Sequence, residues 1–208
     1  MMTTPMRTVR VVALTAVSML IALALVARLG FWDALFPSVP PSYGAVMVKP
    51  FSLTDQDEHK VTERDMLGRP AVVFFGFTYC PEVCPTTLAD MTNWLGALGR
   101  DADRLGVFFI TVDPARDNPD EMRKYLSSFD PRIRGLTGTA SDIDGVAKAF
   151  GIYYQRVEIE GGYTMDHSAS VLLLDAEGRF AGTISYQEAK DVAVAKLKRL
   201  AQENVPAT

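Results

Sequence analysis

Ala71-Val72-Val73-Phe74-Phe75-Gly76-Phe77 is an unbroken apolar run that passes through Thr78 and Tyr79 into Cys80-Pro81-Glu82-Val83-Cys84-Pro85. A short run of β-branched and aromatic residues without polar alternation reads as a central strand buried on both faces. From Thr86 to Leu98, apolar residues recur at Leu88, Met91, Leu95 and Leu98, which is helical spacing. Proline suits the first helical position, so Pro85 is expected there with Cys84 near the N-cap. The cysteine phrase thus joins a central strand to a helix, at the sheet edge where open α/β folds place their sites.

Working outward, Val107–Val112 reads as a second buried strand and Gly135–Gly138 as a short third one. Asn118-Pro119-Asp120-Glu121 has the cap, proline and acids of a helix start, and that helix would carry Met122, Tyr125, Leu126 and Phe129. Ser141 to Phe150 looks helical and stops at Gly151. Ile152–Ile159 and Tyr163–Met165 flank the turn signal Glu160-Gly161-Gly162, and Val171–Leu174 and Phe180–Ile184 form another hairpin. Gln187 to Leu200 closes the chain as an amphipathic helix. Parallel strands first and antiparallel ones after describe an α/β sandwich of thioredoxin type, with a central mixed sheet and flanking helices.

The chain has 208 residues, 48% of them hydrophobic, and a formal charge of -4. From Val11 to Ala27 there is no charge. With its flanks, this run approaches the ~20 residues that span a bilayer. Arg7 and Arg10 precede it, and Phe31 and Trp32 follow where an interfacial aromatic belt is expected. Residues 1–10 are therefore read as a cytoplasmic N-terminus and 11–32 as a single transmembrane anchor. A cleaved signal peptide is the alternative, but its apolar core is usually shorter, ~7–15 residues. Residues 33–44 include Pro37-Ser38-Val39-Pro40-Pro41 and read as a stiff linker. Residues 45–208 then form one exported domain, held at the inner membrane and lying in the periplasm. The basic N-terminus makes that domain more acidic than the whole, which argues against nucleic acid as a partner.

Cys80 and Cys84 are the only two cysteines. Thioredoxin-type redox pairs leave two residues between the sulfurs; this pair leaves three. Four residues is a little over one helical turn, so both thiols can face one soft metal ion. Two thiolates leave such an ion undercoordinated. Only two histidines are present. His59 lies in Asp55-Gln56-Asp57-Glu58-His59-Lys60 and reads as a solvated turn residue. His167 lies in Asp166-His167-Ser168, before the buried strand Val171–Leu174. In a thioredoxin-like fold that loop abuts the thiol loop, and no proline stands between Pro131 and Pro206 to supply the cis-proline of the oxidoreductases. Cys₂His suits copper, Cu(I) or Cu(II), whereas structural zinc normally takes four protein ligands. Asp166 is a candidate to orient the loop or the imidazole. Met165 is a soft donor nearby, read as a packing residue.

These phrases together resemble the SCO/SenC family of copper-binding assembly factors for cytochrome c oxidase. The matching pieces are Phe75 through Leu88, Thr111-Val112-Asp113-Pro114-Ala115-Arg116-Asp117, Gly135-Leu136-Thr137-Gly138, and Tyr163-Thr164-Met165-Asp166-His167-Ser168, in family order. The resemblance includes the N-terminal anchor. It implies that Cys80, Cys84 and His167 are the copper ligands, that Cys80 and Cys84 can also form a redox disulfide, and that Asp113 supports the site. It further implies copper delivery to the binuclear copper site of oxidase subunit II; another periplasmic copper chaperone is a candidate partner. Asn118 stands where the family commonly has threonine; both cap helices. A chaperone of this kind is not an enzyme in the ordinary sense. The competing reading is a thiol–disulfide oxidoreductase that keeps exported cysteines reduced, with His167 tuning a thiolate. A peroxiredoxin-type peroxidase lacks its residue pattern here, and a structural disulfide across so small a loop adds little stability.

Overall fold

The computed structural model describes residues 48–202 together with Met19. The anchor (11–32, Met19 apart) and the linker (33–44) lie outside the described residues. Among the described residues, no helix is long and apolar enough to cross a membrane.

The strands are β1 (Ser52–Asp55), β2 (Lys60–Thr62), β3 (Ala71–Gly76), β4 (Gly106–Thr111), β5 (Ile133–Thr137), β6 (Tyr154–Ile159), β7 (Gly162–His167), β8 (Val171–Leu174) and β9 (Phe180–Ile184). The α-helices are α1 (Val83–Leu98), α2 (Pro119–Leu126), α3 (Ala140–Ala149) and α4 (Lys190–Gln202), with short 3₁₀ turns at Glu63–Met66 and Gly99–Arg104. Seven strands form one mixed sheet in the order β2-β1-β5-β4-β3-β8-β9, and β6 and β7 pair only with each other. β3, β4 and β5 run parallel, while β8 and β9 continue antiparallel from β3. This is the thioredoxin-like sandwich expected from the order of elements.

Every residue of β3 and β4 is buried, so both faces of the sheet centre are covered, as parallel strands require. Phe74 and Phe109 stack at 5.8 Å across the β3–β4 pair. Gly76 ends β3 because nothing larger fits: a Cβ there would lie 2.7 Å from the Phe109 ring and 2.9 Å from Cys84 Sγ. The end of the central strand thus packs directly against the second thiol.

Several boundaries move for identifiable reasons. α1 begins at Val83, not at Pro85, so Cys84 lies in its first turn and not at the N-cap. The first-turn N–H groups have no helical acceptor, so Pro85 is tolerated at the third position as well as the first. Glu82, at the N-cap, makes no side-chain cap; the Cys84 N–H instead donates to Cys80 Sγ at 3.3 Å. The third strand starts earlier, at Ile133. α2 stops at Leu126, where the Ser127 hydroxyl donates to the Lys124 carbonyl, so Phe129 packs against Tyr125 from beyond the helix. α3 starts at Ala140 behind a Thr139–Asp142 capping box. α4 starts at Lys190 because Gln187 sits at φ 58° in a preceding turn. Gly161, at φ 82°, closes the β6–β7 hairpin as expected, but β7 extends two residues further, to His167, which pairs with Tyr154.

Candidate metal centre

β3, α1 and β7 bring three donor atoms together. Cys80 Sγ, Cys84 Sγ and a ring nitrogen of His167 all lie within 4.8 Å of one another, and both cysteines are free thiols. Cys84 Sγ is 3.5 Å from His167 Nε2. An ion with bonds of about 2.0–2.3 Å reaches all three after small side-chain rotations. Cys84 is fully buried, while Cys80 and His167 are half-buried, so the site is partly open to solvent.

The imidazole is oriented by its other nitrogen. Nδ1 is 2.9 Å from the Ser168 carbonyl, an acceptor, so Nδ1 carries the proton and the Nε2 lone pair faces the sulfurs. The ring is wedged edge-on against Phe77 and Phe74, with centroids at 5.8 and 6.3 Å. The thiols are not equivalent. Cys80 is lowered to about 4, chiefly by the hydrogen bond from the Cys84 thiol. Burial opposes this shift, and the backbone N–H groups of Cys84 and Glu82 assist it. Cys84 is pushed above the ordinary thiol value by that same bond and by burial. The metal-free pair therefore holds one thiolate, on the more exposed sulfur at the helix N-terminus.

Asp113 is buried but supports the site at one remove. It accepts from the Tyr163 hydroxyl at 3.0 Å and pairs with Arg116, and its N–H is held by Thr111 Oγ1 at 2.8 Å. Asp166 is exposed; the Ser168 carbonyl, not Asp166, orients the ring. The reason is strand alternation, which turns adjacent side chains to opposite faces. Met165 shares the His167 face and packs against the core. His59 is exposed in the β1–β2 turn. It forms a second cluster with Asp55 and Asp57, but Asp55 is already committed to the N–H groups of Asp57 and His59 and to Arg134.

One residue escaped sequence reasoning. Asp117 is completely buried and accepts from the Thr78 N–H at 3.0 Å and from the Thr78 and Thr111 hydroxyls, both at 2.6 Å. It ties the loop entering Cys80 to the end of β4. Burial raises its pKa, against the three hydrogen bonds. An aspartate after a turn carries no sequence signal of burial; only the threonines at the two strand ends hint at it.

The profile of the SCO1/SenC family matches residues 40–202. Mitochondrial protein SCO2 of Saccharomyces cerevisiae is 35% identical over 170 residues, covering 79% of this chain and 56% of that protein. Mitochondrial SCO1 of the same yeast is 35% identical over 171 residues, covering 80% of this chain and 57% of that one. The match therefore spans little more than half the length of either yeast relative. The structure of Bradyrhizobium japonicum ScoI with copper bound superimposes with a TM-score of 0.69 at 44% identity, over 74% of this chain and 98% of that one. Yeast Sco1 with copper bound gives 0.69 at 35% identity, over 77% of this chain and 91% of that one. Thiol pair, histidine and fold lie within the matched span, and the chain belongs to the SCO1/SenC family.

Proposed function

We propose that Cys80, Cys84 and His167 bind one copper ion and that the protein is a copper chaperone. The observation that carries this is the Nε2 lone pair of His167 turned to Cys84 Sγ at 3.5 Å while Nδ1 is committed to Ser168. Soft thiolates with one imidazole suit copper, and structural zinc would want a fourth protein ligand. Copper-bound relatives of the same fold support the choice of metal. Three ligands on a half-open site leave room for an incoming thiolate, which a transfer protein needs. Copper here is cargo.

From the family resemblance, the recipient in this reading is the binuclear copper site of cytochrome c oxidase subunit II during oxidase assembly, with another periplasmic copper chaperone as a further candidate partner. The uncharged run from Val11 to Ala27 after Arg7 and Arg10 supports a single-pass anchor in the inner membrane, with the domain in the periplasm.

A second reading, dithiol reduction of exported cysteines, is favoured by the Cys80 thiolate beside a protonated Cys84. The two readings part at His167. Copper titration of reduced wild type and His167→Ala, run beside a dithiol-oxidation assay, separates them. The chaperone reading expects lost copper affinity with thiol chemistry retained; the reverse pattern supports the reductase.

A further inference from the structure

The hairpin that carries His167 belongs to no larger sheet. Side chains alternate along β7, so Tyr163, Met165 and His167 share one face and Thr164 and Asp166 the other. Directly paired residues share a face as well, which adds Tyr154, Arg156 and Glu158 to the His167 face. A slip of one residue in this register would turn His167 away from the thiols. The hydrogen bonds Ser168 N–H to Tyr153 carbonyl (3.0 Å) and Tyr153 N–H to Ser168 Oγ (3.2 Å) close the hairpin's base but do not tie it to the body.

The tie is at Tyr163, about 13 Å along the strand from His167. Its hydroxyl donates to Asp113 Oδ1 at 3.0 Å, and its carbonyl accepts from Arg116 Nη1 at 3.0 Å. Its ring lies between two guanidinium groups, Arg116 at 3.7 Å and Arg156 at 3.6 Å. Asp113 also binds Arg116 Nε, so acid, base and phenol form a closed triangle. Arg116 is capped on its open side by Tyr79 at 4.8 Å. The Arg116 Nη2 atom is buried with no hydrogen-bond partner among the described residues. Leaving that donor unmatched is the cost of aiming Nε and Nη1 at Asp113 and Tyr163.

We infer that Tyr163, held by Asp113 and Arg116, is the positioning residue of the metal centre: it fixes the register and tilt of β7 so that His167 Nε2 reaches the thiols. This rests on His167 being a copper ligand and names what delivers it. Tyr163 itself touches no metal.

The test uses the full chain as wild type, Tyr163→Phe, Tyr163→Ala and His167→Ala. Amide exchange is measured without metal, and Cu(II) spectra and affinity on the reduced proteins. Tyr163→Ala should speed exchange across residues 154–167 at least tenfold while β3 and β4 amides stay protected, and should shift the Cu(II) spectrum toward that of His167→Ala. Tyr163→Phe keeps the ring and the stacking. It should loosen the hairpin several-fold and weaken copper binding about threefold, so a Tyr163→Ala chain that failed to fold would still leave this arm decisive. Wild-type exchange, spectrum and affinity in Tyr163→Phe, or the wild-type spectrum and affinity in a folded Tyr163→Ala, overturn the inference. If wild type and His167→Ala give the same copper spectrum, the ligand assignment fails and this inference with it.

Discussion

The main-chain N–H of Cys84 donates to the sulfur of Cys80 at 3.3 Å, so one thiol of the pair caps the helix that carries the other. A helix N-terminus favours negative charge. The cap therefore ties the helix start to the charge state of Cys80, and the pair behaves as one thiolate with one protected thiol.

Alkylation of the metal-free protein should be selective for Cys80 on the acidic side of neutrality. A thiol lowered to about 4 is ionised at pH 5–6, whereas an ordinary thiol is not. Cys84 is buried and its pKa is raised. Iodoacetamide at pH 5.5 followed by peptide mass analysis should find the label on Cys80; label on both cysteines or on Cys84 first contradicts the assignment.

Asp117 should be a major stabilising residue of the site. Asp117→Ala removes the acceptor of three hydrogen bonds and strands the half-buried Thr78 N–H and the buried Thr111 hydroxyl. A loss of about 3 kcal/mol is expected from broken bonds to a buried charged group. Asp117→Asn keeps an acceptor and should lose less. The pKa of Asp117 is raised, so its contribution is fully present below the unfolded carboxylate value and is lost as pH rises through the folded one. The stability deficit of Asp117→Asn relative to wild type should therefore shrink as pH rises above the unfolded carboxylate value, as read from urea midpoints. A deficit that grows over that range would mean the carboxylate is stabilised, not strained, by its surroundings.

Gly76→Ala tests the close approach at the end of β3. The added methyl would meet the Phe109 ring and Cys84 Sγ at under 3 Å. Overpacking of this kind costs about 1–3 kcal/mol. The displaced thiol should also weaken copper binding. Wild-type thermal stability and copper affinity together would show that the strand end has slack.

How much of this was legible in the sequence depended on what each residue's signal reports. β3 announced itself because a strand buried on both faces has no polar positions. The thiol pair was found because there are no other cysteines. The start of α1 was misplaced because sulfur replaces the usual oxygen cap, and no Ser, Thr, Asp or Asn marks it. β7 was cut short at Met165 because Asp166 and His167 look like loop residues, although alternation from Tyr163 leads to His167. Asp113 is expected from the resemblance to support the site, but how it does so is not legible, since its partners Arg116 and Tyr163 meet it only through the tertiary fold. Asp117 was invisible as a structural residue: a carboxylate buried among threonine hydroxyls looks, in sequence, like one exposed in a turn.

The most direct test of the central claim is a copper titration of the reduced protein and its His167→Ala variant, followed by thiolate-to-metal charge-transfer absorption with Cu(II). Wild type should bind one equivalent with strong visible and near-ultraviolet bands, and the variant should bind at least tenfold more weakly with altered bands. Equal affinity and identical spectra for the two proteins would contradict the three-ligand centre.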